Sequence, residues 1–146
     1  MDTFNQLEHH HGSVTGQDDF VELPFERREK ARQRVCLNTG EEVGIQIQRG
    51  SVMRGGDLLY SEKGRVIRVK AAAEAVSTVT STDPAQLARV AYHLGNRHVW
   101  LQIGDGWVRY LADHVLDEMV RGLGAVVTCE QAPFEPESGA YGHSHD

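Results

Sequence analysis

Asp83-Pro-Ala-Gln-Leu-Ala-Arg-Val-Ala-Tyr-His-Leu-Gly95, followed by His98-Val-Trp-Leu-Gln-Ile-Gly-Asp-Gly-Trp-Val-Arg-Tyr-Leu111, is the stretch whose reading decides the fold. Asp83 can cap a helix, and Pro84 suits the first helical position. Leu87, Val90, Ala91 and Leu94 fall at helical spacing, and Gly95 is the natural residue to end the helix. His98 to Ile103 alternates as a strand, Gly104-Asp105-Gly106 turns, and Trp107 to Leu111 returns as its hairpin partner. Downstream, Asp113 caps a second helix with Val115, Leu116, Met119 and Leu123 on one stripe, closed by Gly124, and Ala125 to Cys129 is a last strand. Upstream, Arg65 to Lys70 opens a strand that continues, with interruption, to Val79. The order is βαββαβ, the ferredoxin-like arrangement, which hosts many unrelated functions.

The first half reads differently. Phe20 to Leu23 is a short apolar stretch ending at Pro24. Glu26 to Arg34 is charge-rich. Propensity makes it a helix, an exposed strand running into Val35 is the rival, and a solvated face fits its mixed charges. Val43 to Gln48 alternates, and Leu58-Leu-Tyr60 lies between glycine turns. Arg54-Gly-Gly-Asp57 has no Lys-Ser/Thr and no following helix, so it is not a phosphate loop. The expectation is an α+β chain: a small all-β N-terminal domain followed by a ferredoxin-like βαββαβ C-terminal domain. Residues 1–17 read as a flexible extension, 18–75 as the β domain, 76–134 as the ferredoxin-like domain and 135–146 as a flexible tail.

Composition narrows the function. The 146 residues carry a net charge of -6, which argues against nucleic acid as a partner. No apolar run approaches the roughly 18 residues that span a membrane, and the polar start is not a secretory signal. Cys36 and Cys129 lie far apart without a CxxC, so reduced thiols and a cytoplasmic protein are expected. No HExxH, GxSxG or Walker motif is present, and nothing argues for an enzyme.

Eight histidines stand out against four phenylalanines. His9, His10 and His11 form a block that reads as a solvated tail or purification remnant, and His143 and His145 close the chain as His-x-His. Strand alternation puts Val99, Leu101 and Ile103 on one face and His98, Trp100 and Gln102 on the other. The aliphatic face belongs on the helices, so His98 points outward beside an indole, which suggests an interface first and a metal ligand second. His93, near a helix end, reads as a structural or solvated histidine. His114 follows the cap Asp113 at a helix start, where the dipole favours the neutral, ligating imidazole.

Specific blocks run in order through the chain: Arg49-Gly50 with Gly55-Gly-Asp57, His93-Leu-Gly-Asn-Arg-His98, Asp113-His-Val-Leu116, and Pro133-Phe-Glu-Pro-Glu137 with Gly139-Ala-Tyr141. In these the chain resembles UreE, the family of urease accessory proteins that act as nickel metallochaperones. The resemblance implies a peptide-binding-like β domain, a ferredoxin-like metal-binding domain and a homodimer through the C-terminal domains. It implies Ni(II) as cargo, with Zn(II) or Cu(II) able to bind the same site. It also implies a place beside the urease accessory GTPase and the urease apoprotein assembly complex. Carried over residue by residue, His98 matches the histidine that each protomer gives to one metal at the dimer axis. His143 and His145 match a tail that is usually richer in histidine, and His114 matches a peripheral metal position. A second peripheral histidine of the family is Ala112 here, and Trp100 stands where proline is common. The resemblance favours strand over helix for Arg27 to Arg34. The rival readings are a metal-independent urease assembly adaptor and a zinc- or copper-buffering protein.

Overall fold

The structure is a computed structural model, and it describes residues 1–10 and 19–138. The chain divides into two compact units, Met1–Ala72 and Ala73–Asp146. No helix among the described residues is long and apolar enough to cross a membrane.

The first unit is a six-stranded sheet rolled towards a barrel. Its strands are β1 (Thr3–Glu8), β2 (Phe20–Leu23), β3 (Arg32–Cys36), β4 (Glu42–Gln46), β5 (Leu58–Ser61) and β6 (Val66–Ala71), with a one-turn helix α1 (Phe25–Arg28). The order is β2-β6-β5-β1-β4-β3. The turn after β3 meets the start of β2: the Asn38 N–H donates to the Phe20 carbonyl at 2.9 Å and the Phe20 N–H donates to Asn38 Oδ1 at 2.7 Å. Inward side chains from every strand, among them Phe4, Val21, Val35, Ile45, Leu59 and Ile67, form one buried core.

Two expectations fail here. The sequence reading leaves residues 1–17 outside the fold, but Thr3–Glu8 is a central strand, parallel to β4 and antiparallel to β5. Only Phe4 and Leu7 are apolar in it, so its own pattern is weak and its partners decide. Arg65 reinforces the placement: it forks onto Glu41 at 2.8 and 3.0 Å, reaches Asp2 at 3.4 Å, and lies over the Phe4 ring. That fork holds the Glu41 carboxyl below the usual carboxylate range. The charge-rich segment is neither one helix nor one strand. It makes α1, turns, and continues as β3. It is not wholly solvated either. Arg28 is fully buried and donates to the carbonyls of Leu23 at 3.1 Å and Met53 at 3.2 Å. A buried guanidinium is tolerable where such acceptors meet it.

The second unit contains β7 (Ala73–Thr80), α2 (Pro84–Asn96), β8 (Gln102–Gly104), β9 (Trp107–Leu111), α3 (His114–Gly122) and β10 (Val126–Pro133). This is the βαββαβ order, and the sheet order β10-β7-β9-β8 is ferredoxin-like. Both expected caps form: Asp83 accepts from Ala85 N–H, and Asp113 accepts from Val115 and Leu116 N–H. Val79, Val108 and Tyr110 of the sheet pack with Val90, Leu94, Leu116 and Val120 of the helices. Inside this layer the Tyr110 hydroxyl donates to Asp117 Oδ1 at 2.6 Å, and Cys129 Sγ lies 3.7 Å from Asp117 Oδ2. On the opposite sheet face the Trp107 indole lies against Gly104 of the neighbouring strand, and the Arg109 guanidinium sits over that indole.

Candidate metal centre

The end of α2 places His98. The Val99 N–H donates to the Leu94 carbonyl at 3.2 Å, and the His98 N–H donates to the Gly95 carbonyl at 3.0 Å. This pair of bonds is a Schellman closure with Arg97 as C-cap and His98 as the residue after it. Such a closure needs a left-handed residue, and His98 has φ 59°, alone among the described non-glycine residues in having positive φ. Val99 then packs against the cluster that contains Leu94, the apolar contact that accompanies the motif.

The sequence reading ends the helix at Gly95 and starts a strand at His98. The structure instead runs the helix through Gly95 to Asn96 and starts β8 at Gln102. His98 is exposed because a left-handed cap turns it out, not because of strand alternation. The expected faces hold in part. Val99 and Leu101 pack on the core, while Trp100 is exposed. Ile103 departs from the pattern at 54% exposure. It pairs with buried Val108, but β8 is the edge of the sheet.

Left-handed backbone costs a non-glycine residue roughly 1–2 kcal/mol, so a histidine kept there is a functional candidate. The same unit also exposes apolar side chains: Tyr92 on α2, Trp100 two positions after His98, and Leu111 at the end of β9. The Tyr92 and His93 rings meet edge to face at 5.3 Å.

The end of the described chain lies near His98. After β10, Phe134 and Pro136 are buried. The Glu135 N–H donates to Gln102 Oε1 at 3.0 Å, and the Glu137 N–H donates to the Leu101 carbonyl at 2.8 Å. Residues 135–138 are therefore not a loose tail. The Pro133-Phe-Glu-Pro-Glu137 block, read in the sequence only for the family resemblance, forms this anchor. Leu101 is three positions from His98, at most about 10 Å of extended chain.

His114 is the first residue of α3 and is exposed. His143 and His145 lie outside the described residues. Among the described residues no three His, Cys, Asp or Glu side chains are grouped to hold a metal ion. Neither His98 nor His114 therefore belongs to such a group of three among the described residues.

Residues 4–72 match the family described as UreE urease accessory protein, N-terminal domain, and residues 74–146 match its C-terminal domain. A protein named urease accessory protein UreE from Alkalilimnicola ehrlichii is 60% identical over 125 residues, covering 86% of this chain and 77% of its own. Its namesake from Proteus mirabilis is 55% identical over 122 residues, covering 84% and 76%. That from Vibrio parahaemolyticus is 50% identical over 137 residues, covering 88% and 86%. With both domains matched in order and relatives at this identity across most of its length, the chain belongs to the UreE urease accessory protein family.

Proposed function

We propose that this protein is a nickel metallochaperone that delivers Ni(II) for assembly of the urease active site. Two copies join through their C-terminal domains and present paired His98 imidazoles to one ion on the two-fold axis. His143 and His145 from the tails complete the site, and His114 is a peripheral position. The observation that carries this reading is the bond from Glu137 to Leu101, which roots the tail beside an exposed, backbone-fixed imidazole.

The chemistry follows from the parts. Ni(II) accepts imidazole nitrogen, and two His98 rings under-fill its coordination sphere. An isologous dimer supplies such a pair symmetrically. Exposed Tyr92 and Trp100 supply apolar surface for the contact. A site completed by exchangeable ligands suits a carrier, because those ligands can leave one at a time as the ion passes on. Imidazole binds metal only when neutral, so acid weakens the complex. Cu(II) binds the same donors more tightly and Zn(II) comparably, so nickel selectivity comes from partners and supply. Those partners are the urease accessory GTPase and the urease apoprotein assembly complex, in the cytoplasm. The protein binds and hands on its ion and catalyses no reaction.

Calorimetric Ni(II) titration beside sedimentation tests this. Wild type should be a dimer at micromolar concentration, and His98→Ala should remain folded while losing the tightest site. A monomer with and without metal, or unchanged nickel affinity in His98→Ala, would overturn the reading.

A further inference from the structure

The N-terminal unit holds a carboxylate–imidazole pair that the nickel reading leaves unused. Asp57 ends the Arg54-Gly-Gly-Asp57 turn, and its side chain is 3% exposed. Its carboxylate accepts the Arg54 N–H at 2.7 Å and the His10 N–H at 3.3 Å. Its third partner is His9 Nδ1 at 2.8 Å. An ionised carboxylate can only accept, so His9 donates through Nδ1–H. In the neutral ring the lone pair then sits on Nε2, and the His9 side chain is 61% exposed.

Metal-ligating histidines carry this same arrangement: one nitrogen on the metal, the other donating to a carboxylate that fixes the tautomer and raises ligand basicity. The main chain here is also fixed, because Asp57 holds the backbone of His10 as well as the ring of His9. The sequence alone makes this stretch a solvated tail, since Asp57 is 48 positions from His9 in the chain.

We propose that His9 Nε2, oriented by Asp57, anchors a second divalent transition-metal site, in the N-terminal unit. The adjacent His10 and water hold the remaining positions. The donor set selects imidazole-preferring ions, namely Ni(II), Cu(II) and Zn(II), over Mg(II) or Ca(II). With fewer fixed protein ligands than a closed site, it binds more weakly than the His98 centre and exchanges freely.

The test uses the full chain with His98, His114, His143 and His145 all replaced by alanine, so its outcome does not depend on the nickel centre proposed above. Calorimetry with Ni(II) alone should find one residual ion per chain. His9→Ala should abolish it, and Asp57→Asn should weaken it at least tenfold. Circular dichroism checks that each variant is folded. Long-range nitrogen–proton NMR of this same four-alanine chain, with His9 and Asp57 intact, gives a readout that needs no buried substitution. It should find the His9 ring as the Nδ1–H tautomer, with its signals broadened first on adding Ni(II). No residual ion, residual binding that survives His9→Ala or that Asp57→Asn leaves unchanged, or an Nε2–H tautomer would each overturn the proposal.

Discussion

The backbone N–H of Glu137 donates to the carbonyl of Leu101 at 2.8 Å, tying the chain beyond the last strand to the segment that carries His98. His143 is six positions beyond Glu137, at most about 20 Å of extended chain. Leu101 lies about half that distance along the chain from His98. The tail of one chain is therefore long enough to return to its own His98.

Removing residues 139–146 should lower the number of imidazoles on bound Ni(II) and weaken binding, while the His98 pair and the dimer persist. The loss should be modest, because ordering the tail costs roughly 1–2 kcal/mol of backbone entropy per residue. X-ray absorption on nickel-loaded wild type and truncated protein counts the ligands. An unchanged count would mean the tail is a bystander.

His98→Gly should stabilise the C-terminal unit while removing its metal ligand. At φ 59° glycine escapes the strain that histidine bears, a gain of about 1 kcal/mol. His98→Ala keeps the strained backbone and should bring no such gain. Urea unfolding of the three metal-free proteins compares them. A glycine variant less stable than wild type would show that the His98 side chain packs.

Tyr110 should resist ionisation. Burial, then the hydrogen bond to Asp117, pushes its phenol well above the usual tyrosine range. A phenol raised in the folded state stabilises the fold fully below the unfolded value near 10, and that contribution is lost as pH climbs beyond it. Alkaline titration at 295 nm should therefore show one tyrosine ionising only with unfolding. Asp117→Ala should cost about 1–3 kcal/mol, because it strands the buried hydroxyl, and should move that transition to lower pH.

Gly104→Ala should also destabilise the sheet, by about 1–3 kcal/mol. A methyl group there would overlap the Trp107 indole, which in turn supports Arg109. Urea midpoints measure the cost, and near-ultraviolet dichroism reports whether the indole has moved. An unaltered midpoint would mean the ring repacks freely.

The sequence by itself determined the elements whose signals are local. Asp83 and Asp113 cap their helices because a short acceptor side chain reaches the first free N–H groups, and those residues are legible one at a time. The apolar stripes of both helices and the Asp105-Gly106 hairpin make the βαββαβ order readable in the sequence. The family blocks named His98. Tertiary structure decided what depends on distant partners. Thr3–Glu8 becomes a central strand because β4 and β5 flank it, although its own alternation is faint. The helix runs past Gly95, and His98 takes the left-handed position, because Val99 must reach the core beside Leu94. The anchoring of Glu137 and the pairing of His9 with Asp57 join residues far apart in the chain. No local pattern encodes such contacts, because their free energy arises only when packing brings the partners together.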